Sequence, residues 1–145
     1  MNKDIPVKFN GIIETQEGYA VFVTDGAKNV AFFIDKFTGE AICMARDGIT
    51  TIRPHTHMLM ESVIAGLGAK VEKVVVHTLK EDCYYAHLYL SQTTGREKHI
   101  IEIDARPSDC IALALGSGAP VYVKPKVWKD SEDMTRVLDQ HKSEE

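Results

Sequence analysis

The sequence predicts an α+β fold: internally duplicated strand-rich units, each of three strands then a helix, forming a mixed, mainly antiparallel sheet with packed helices. Three observations predict it. Short runs rich in β-branched and aromatic residues are separated by tight-turn signals, which makes meanders of antiparallel strands. Two apolar stretches carry helix-start signals, at Pro54 and Pro107. The run Phe33-Ile34-Asp35 to Glu40-Ala41-Ile42-Cys43-Met44-Ala45 also matches Ile103-Asp104 to Asp109-Cys110-Ile111-Ala112-Leu113-Ala114 at a constant offset of 69. Tyr19-Ala20 matches Tyr85-Ala86 upstream with a small insertion, so an internal duplication is expected.

Each element follows in order. Residues 7–15, 19–24 and 30–35 read as strands, separated by Gln16-Glu17-Gly18 and Asp25-Gly26. Residues 39–45 are rich in helix formers, follow Thr38 as an N-cap, and stop at Gly48. Pro54 opens a stronger helix, with Leu59, Val63, Ile64 and Leu67 at helical spacing before Gly66-Leu67-Gly68. The second half repeats the pattern with strands over 70–79, 83–90 and 98–104, turning at Lys80-Glu81-Asp82 and Thr94-Gly95. Pro107 then starts an apolar helix over 108–115 that ends at Gly116-Ser117-Gly118. Val121-Tyr122-Val123 is a final short strand, residues 130–140 suit an amphipathic helix, and residues 142–145 should fray.

Composition bounds the function. At 145 residues, 44% apolar and 26% charged, the chain fits one domain with a real core and excludes disordered and fibrous classes. No apolar run approaches the roughly 20 residues needed to span a bilayer, and Met1-Asn2-Lys3-Asp4 lacks the apolar stretch of a leader, so a cytoplasmic protein is expected. Cys43, Cys83 and Cys110 form no C-x-x-C pair and are expected to be reduced, mostly buried thiols. With 17 Lys and Arg against 21 Asp and Glu, the net charge is −4, so no overall positive field draws in nucleic acid and any such binding needs a local patch. Residues 129–145 hold six acids and three bases, which divides the chain into a domain over 1–128 and an acidic C-terminal segment, partly helical or frayed.

The run Ile103-Asp104-Ala105-Arg106-Pro107-Ser108-Asp109-Cys110-Ile111-Ala112-Leu113-Ala114-Leu115, followed by Ala119-Pro120-Val121-Tyr122-Val123, resembles the hallmark of the bifunctional nuclease family, the DNase-RNase domain. Arg53-Pro54-His55-Thr56-His57 before a helix, Lys73-Val74-Val75-Val76 and Tyr85-Ala86-His87-Leu88 fit the same pattern, which covers roughly residues 8–127. The resemblance implies an α+β fold and, from plant members, hydrolysis of DNA and RNA phosphodiesters. The chain departs from the pattern at four places. The family commonly has Ile-Trp-Ile-Gly where Phe32-Phe33-Ile34-Asp35 stand, Glu-Ala where Thr38-Gly39 stand, Asp at Met58 and Ala at Cys110. Missing acids at Thr38 and Met58 weaken a multi-carboxylate site.

Phosphodiester hydrolysis needs an activated water, neutralisation of charge on the phosphoryl oxygens and help for the leaving oxygen. Asp104 and Asp109 are the expected catalytic carboxylates and the ligands of Mg²⁺ or Mn²⁺, with Arg106 and Arg53 as phosphate binders. His57 stands one helical turn before Glu61, so the two are expected to face one another as an oriented imidazole for proton transfer. Each assignment has a structural counterpart: Asp104 and Ser108 suit turn and cap positions, and Arg106 pairing with Asp104 or Asp109 would merely hold a corner. On the strand over 83–90, Tyr85, His87 and Tyr89 share one face that could stack bases or be covered by a helix or a second subunit. His77, His87 and His99 receive no chemistry. The function expected is therefore a metal-assisted nuclease acting on a nucleic acid substrate, without membrane association. Burying an exposed edge or aromatic face would make it a homodimer. The alternative is a non-catalytic module of the same fold that binds a protein or small ligand.

Overall fold

The computed structural model describes residues 3–144; Met1, Asn2 and Glu145, on which part of the leader and frayed-end readings bear, lie outside the described residues. The first meander is β1 (Ile5–Glu14), β2 (Tyr19–Thr24) and β3 (Asn29–Ile34), followed by α1 (Lys36–Asp47) and α2 (Thr56–Gly66). The second is β4 (Ala69–Lys80), β5 (Cys83–Thr94) and β6 (Glu97–Ala105), followed by α3 (Pro107–Ser117), β7 (Val121–Val123), α4 (Pro125–Asp130) and α5 (Thr135–Ser143). The strands make one seven-stranded sheet in the order β3-β2-β1-β7-β4-β5-β6. Its pairings are antiparallel except that of β4 with β7. The fold is therefore α+β with a mixed, mainly antiparallel sheet, as the sequence predicts. β7 is the splice: three residues long, it pairs with β1 on one side and β4 on the other, joining the meanders into one surface.

The second hairpin extends beyond its expected ends because pairing continues to the tips, from Ala69↔Gln92 to Lys80↔Cys83. Its two loop residues, Glu81 and Asp82, both hold positive φ, the twist that a two-residue hairpin loop requires.

Three strands then a helix occur twice in the chain, but the residue match at offset 69 is not kept in space. Asp35 caps α1, whereas Asp104 lies inside β6, two residues before the Arg106 N-cap of α3.

α1 begins three residues before the expected start. Asp35, not Thr38, is its N-cap: Oδ1 accepts from the Thr38 backbone N–H at 2.8 Å and Oδ2 from the Thr38 hydroxyl at 2.9 Å. A carboxylate satisfies both donors at once, so it displaces the cap to the earlier residue. α1 and α3 end where glycines, Gly48 and Gly118, take the left-handed conformation.

The main core lies between the sheet and helices α1 and α3. Ile42 of α1, Ile111 and Leu113 of α3, and Val21, Val23, Val74 and Val76 of the sheet are all within 1% of complete burial. A second, smaller cluster on the opposite face of β2 and β3 joins Ala20, Phe22 and Ala31 to Leu138 of α5. β2 and β3 are thus covered on both faces, which explains their unbroken apolar runs. The acidic C-terminal segment packs on the fold: Leu138 is buried, the Met134 backbone N–H donates to the Asn29 carbonyl at 2.7 Å, and the Tyr84 hydroxyl donates to the Ser131 hydroxyl at 2.9 Å.

The expectation of mostly buried thiols is corrected, and α2 buries little of its apolar side. The apolar stripe of α2 turns mostly outward, with Leu59, Val63 and Leu67 more than half exposed, because α2 rests on α3 and β4 along a narrow face and only Ile64 reaches the core. Of the cysteines only Cys110 is buried; Cys43 is half-buried and Cys83, at the hairpin tip, is exposed, all three with free thiols. Among the described residues no helix is long and apolar enough to cross a membrane.

Gly39 tests the packing of α1 on β2. A Cβ there would stand 2.1 Å from Cδ2 of Tyr19. Gly39→Ala is expected to cost about 1–3 kcal/mol of unfolding free energy in urea titration. The penalty should shrink when Tyr19 is also cut to Ala.

Candidate functional site

Three helix starts meet at one corner of the molecule. Asp35 caps α1, His57 is the second residue of α2, Arg106 caps α3, and Asp109 lies in the first turn of α3. Asp109 is the hub. Its Oδ1 lies 3.0 Å from His57 Nε2, while its Oδ2 accepts from Arg106 Nε at 3.2 Å and Nη2 at 3.1 Å. An ionised carboxylate can only accept, so Nε2 carries the proton of this contact, and in the neutral imidazole Nδ1 keeps its lone pair. Arg106 also reaches Asp35, with Nη1 3.5 Å from Oδ2. The sequence placed these residues far apart; packing of α1 and α2 on α3 brings them together.

Burial grades the cluster from inside to outside. The His57 side chain is 12% exposed, Asp109 30%, Asp35 42% and Arg106 65%. The guanidinium therefore meets solvent while the imidazole is held within the wall. Two openings flank it. One, about 550 Å³, lies between α1 and the start of α2 and is lined by Asp35, Thr38, His55, His57, Arg106 and Asp109 among others. The other, about 680 Å³, lies toward the β5–β6 end and shares His57, Arg106 and Asp109. The first-turn amides of α3, with its dipole, add to the guanidinium as attraction for an anion.

The other expected site residues fall elsewhere. Glu61 does not bond His57, which has Asp109 instead; its carboxylate is packed against Gly116, where a Cβ would meet Oε1 at 1.9 Å. Arg53 is exposed in the loop before α2, where its carbonyl accepts from the Thr51 hydroxyl, and its side chain takes no part in the corner. Asp104 is in register with His87 on β5, and His87 faces away from the core residues Ala86 and Leu88. Asp104 lines the opening toward the β5–β6 end together with His57, Arg106 and Asp109, but its carboxylate groups with His77 and His87 on the outer face of the sheet. The two aspartates expected to share Mg²⁺ or Mn²⁺ are thus aimed to different sides, and both oxygens of Asp109 are already engaged by His57 and Arg106. Asp104 and Asp109 therefore offer such a hard cation no shared pair of free carboxylates.

Asp35 is a member of the corner that motif reading missed. The signal was an acid directly before a helix-forming run, disguised because Thr38 also suits a cap. Cys110, beside Asp109, is no nucleophile at neutral pH, since burial pushes its thiol up to about 12.

A family model described as the bifunctional nuclease domain matches residues 21–135, and the chain belongs to that family. It is 33% identical over 103 residues to an uncharacterized protein of Mycobacterium tuberculosis (strain H37Rv), covering 71% of this chain and 58% of that one. It is 32% identical over 98 residues to Bifunctional nuclease 2 of Arabidopsis thaliana, covering 68% of this chain and 29% of the plant protein. Bifunctional nuclease 1 of Oryza sativa subsp. indica is 29% identical over 75 residues, 52% of this chain and 22% of its own length. The chain thus spans about three-fifths of the mycobacterial relative and less than a third of the plant ones.

Asp35 connects the corner to stability. Hydrogen bonds from the Thr38 backbone, then from the Thr38 hydroxyl, and the nearby Arg106 charge hold its carboxyl below the usual carboxylate range. Asp35→Ala is expected to cost about 1 kcal/mol in urea titration at neutral pH, from loss of the cap. A folded-state pKa lower than the unfolded one gives stability that is present above about pH 4 and is lost as pH falls through the folded value. Asp35→Asn keeps a capping oxygen but not the charge. Its stability should therefore fall less than that of the parent between neutral pH and about pH 3, as followed by urea midpoints.

Proposed function

We propose that this chain is a nuclease that cleaves phosphodiester bonds of DNA, RNA or both at the corner formed by His57, Asp109, Arg106 and Asp35. The observation that carries the reading is the His57–Asp109 contact of 3.0 Å beside the solvent-facing Arg106, at the N-terminus of α3. Asp109 fixes the imidazole with its proton on Nε2, so Nδ1 is the basic atom available to take a proton from an attacking water. Arg106 and the first-turn amides of α3 would hold the phosphate and spread its developing charge. Membership of the bifunctional nuclease family and the names of the plant relatives support the substrate class.

The proposal carries an electrostatic condition. Arg106 already faces two carboxylates, so an incoming phosphate must take one of those contacts for its own. Weak ground-state binding, strongly reduced by salt, follows from that exchange in a chain of net charge −4. The nuclease assay is run with Mg²⁺, with Mn²⁺ and with a chelator, and loss of cleavage in the chelator would add a divalent ion to the reading.

The test is cleavage of labelled single-stranded DNA and RNA by purified protein. His57→Gln is expected to lower the rate about 10²- to 10⁴-fold, the range for loss of a positioned proton acceptor. Arg106→Ala should weaken substrate binding. Equal cleavage by parent and His57→Gln would move the activity to another site or to a contaminant, and no cleavage by the parent would leave the non-catalytic module.

The same proposal includes a homodimer formed through β6. This strand is an edge with no neighbour on its outer side, and Ile100, Ile101 and Ile103 are all more than a third exposed along it. Light scattering is expected to give about twice the chain mass of 16.2 kDa. A mass of one chain at all concentrations would refute the dimer.

A further inference from the structure

The outer face of the second meander carries a cluster that the corner does not use. His77 stands at a bulge in β4 between the pairs Val76↔Ala86 and Thr78↔Tyr85, and its ring stacks on that of His87 with centroids 4.0 Å apart. A bulge aims a side chain away from its ladder position, which brings His77 over the neighbouring strand. Asp104, opposite His87 on β6, completes a group whose ligand atoms all lie within 4.8 Å of one another. Three strands therefore deliver two imidazoles and one carboxylate to a single point.

We infer that His77, His87 and Asp104 form a binding site for a borderline transition-metal cation, with Zn²⁺ as the probe of that class. Two features beyond proximity support it. His77 Nε2 is buried and has no hydrogen-bond partner, while His77 Nδ1 lies 2.8 Å from the Thr78 hydroxyl. An orphaned ring nitrogen beside a second imidazole and a carboxylate is a donor atom lacking its acceptor. His87 is oriented in the same manner, with Nδ1 3.3 Å from Glu102 Oε1, which in turn accepts from the Tyr89 hydroxyl at 2.6 Å. On both histidines an outer partner occupies Nδ1, the arrangement that fixes ring orientation in imidazole–metal sites and presents Nε2 to the ion.

Geometry and donor type agree on the class. Three atoms no more than 4.8 Å apart have a common point at most about 2.8 Å from each, within about 1 Å of a Zn–N or Zn–O bond length. Small side-chain rotations close that gap, and coordination positions remain on the exposed side for water. Imidazole donors favour zinc, copper, iron or nickel, whereas Mg²⁺ prefers an oxygen shell. His77, His87 and Asp104 make no contact with His57 or Asp109, although Asp104 lines the opening that those two also border, and Zn²⁺ retention is read without any cleavage assay.

The experiment is calorimetric titration of chelator-treated, folded protein with Zn²⁺, repeated in millimolar Mg²⁺, with retained metal measured after gel filtration. One equivalent is expected, undisturbed by Mg²⁺. His87→Gln and Asp104→Asn should each weaken binding at least tenfold with an unchanged circular dichroism spectrum, Glu102→Gln about 10- to 100-fold, and His99→Gln on the same strand not at all. Because His77 is partly buried, His87→Gln serves as the main variant. Co²⁺ substitution should add visible absorption bands to the parent that disappear in His87→Gln. Failure of the folded parent to retain an equivalent of Zn²⁺, or equal retention by His87→Gln, would overturn the site.

Discussion

Helix α3 is enclosed on several sides: sheet strands β4 and β5 below it, α1 and α2 beside it. Cys110, Ile111, Ala112, Leu113 and Ala114 are consecutive and all within 3% of complete burial. A helix that is apolar around its circumference has no solvent face to expose, so its neighbours must close over it. Small residues, Ala112 and Ala114, let them approach. The consequence at the N-terminal end is strict. Arg106 and Asp109 have little freedom of position, because moving them would move the most buried segment of the chain.

That anchoring explains why the polar corner exists as a group. Asp109 holds an imidazole from α2 and the guanidinium of its own turn, and Arg106 passes the contact on to the cap of α1. Each pair is partly exposed and contributes little to stability by itself. Its value lies in orientation, since the helices are already fixed by apolar packing and the charges need only settle the last angle. The same arrangement leaves the corner poor in free positive charge, so anion recognition there relies on the helix dipole and on exchange of a carboxylate contact.

The two faces of the second meander follow separate rules. Val74, Val76, Ala86 and Leu88 point into the core. The reverse side carries Lys73 over the Tyr89 ring, the stacked histidines, Glu102 and Asp104. Tyr89 donates a hydrogen bond to Glu102 that pushes its own phenol up to about 12 and holds the carboxyl down. Burial keeps His77 below its ordinary range, in the neutral form. Strand alternation thus separates a packing surface from a chemical one within the same twelve-residue strands, with the β4 bulge as the place where the ladder gives way.

The residue pattern specifies most elements: period-two runs with turn residues between them specify the meanders, and Pro107 before an unbroken apolar run specifies α3, while α4 is not read from it and the last helix lies over Thr135–Ser143 instead of 130–140. It also marked Arg106, Asp109 and His57, because the motif around them is long. Alternation on the strand over 83–90 correctly put Tyr85, His87 and Tyr89 on one face. Partners were another matter. Helical spacing made Glu61 the natural companion of His57, yet the ring turns to Asp109, 52 positions away. Neighbouring positions made Asp104 and Asp109 a pair, yet a strand and a helix aim them apart. The helical spacing of Leu59, Val63, Ile64 and Leu67 marks α2 as a helix but does not say which of them is buried, and packing leaves all but Ile64 outside. Periodicity and capping are local properties, carried by a few adjacent residues, and so they survive in one dimension. Which side chains meet depends on inter-strand register, a bulge and the docking of one helix on another, and those are decided only when the apolar surfaces close together.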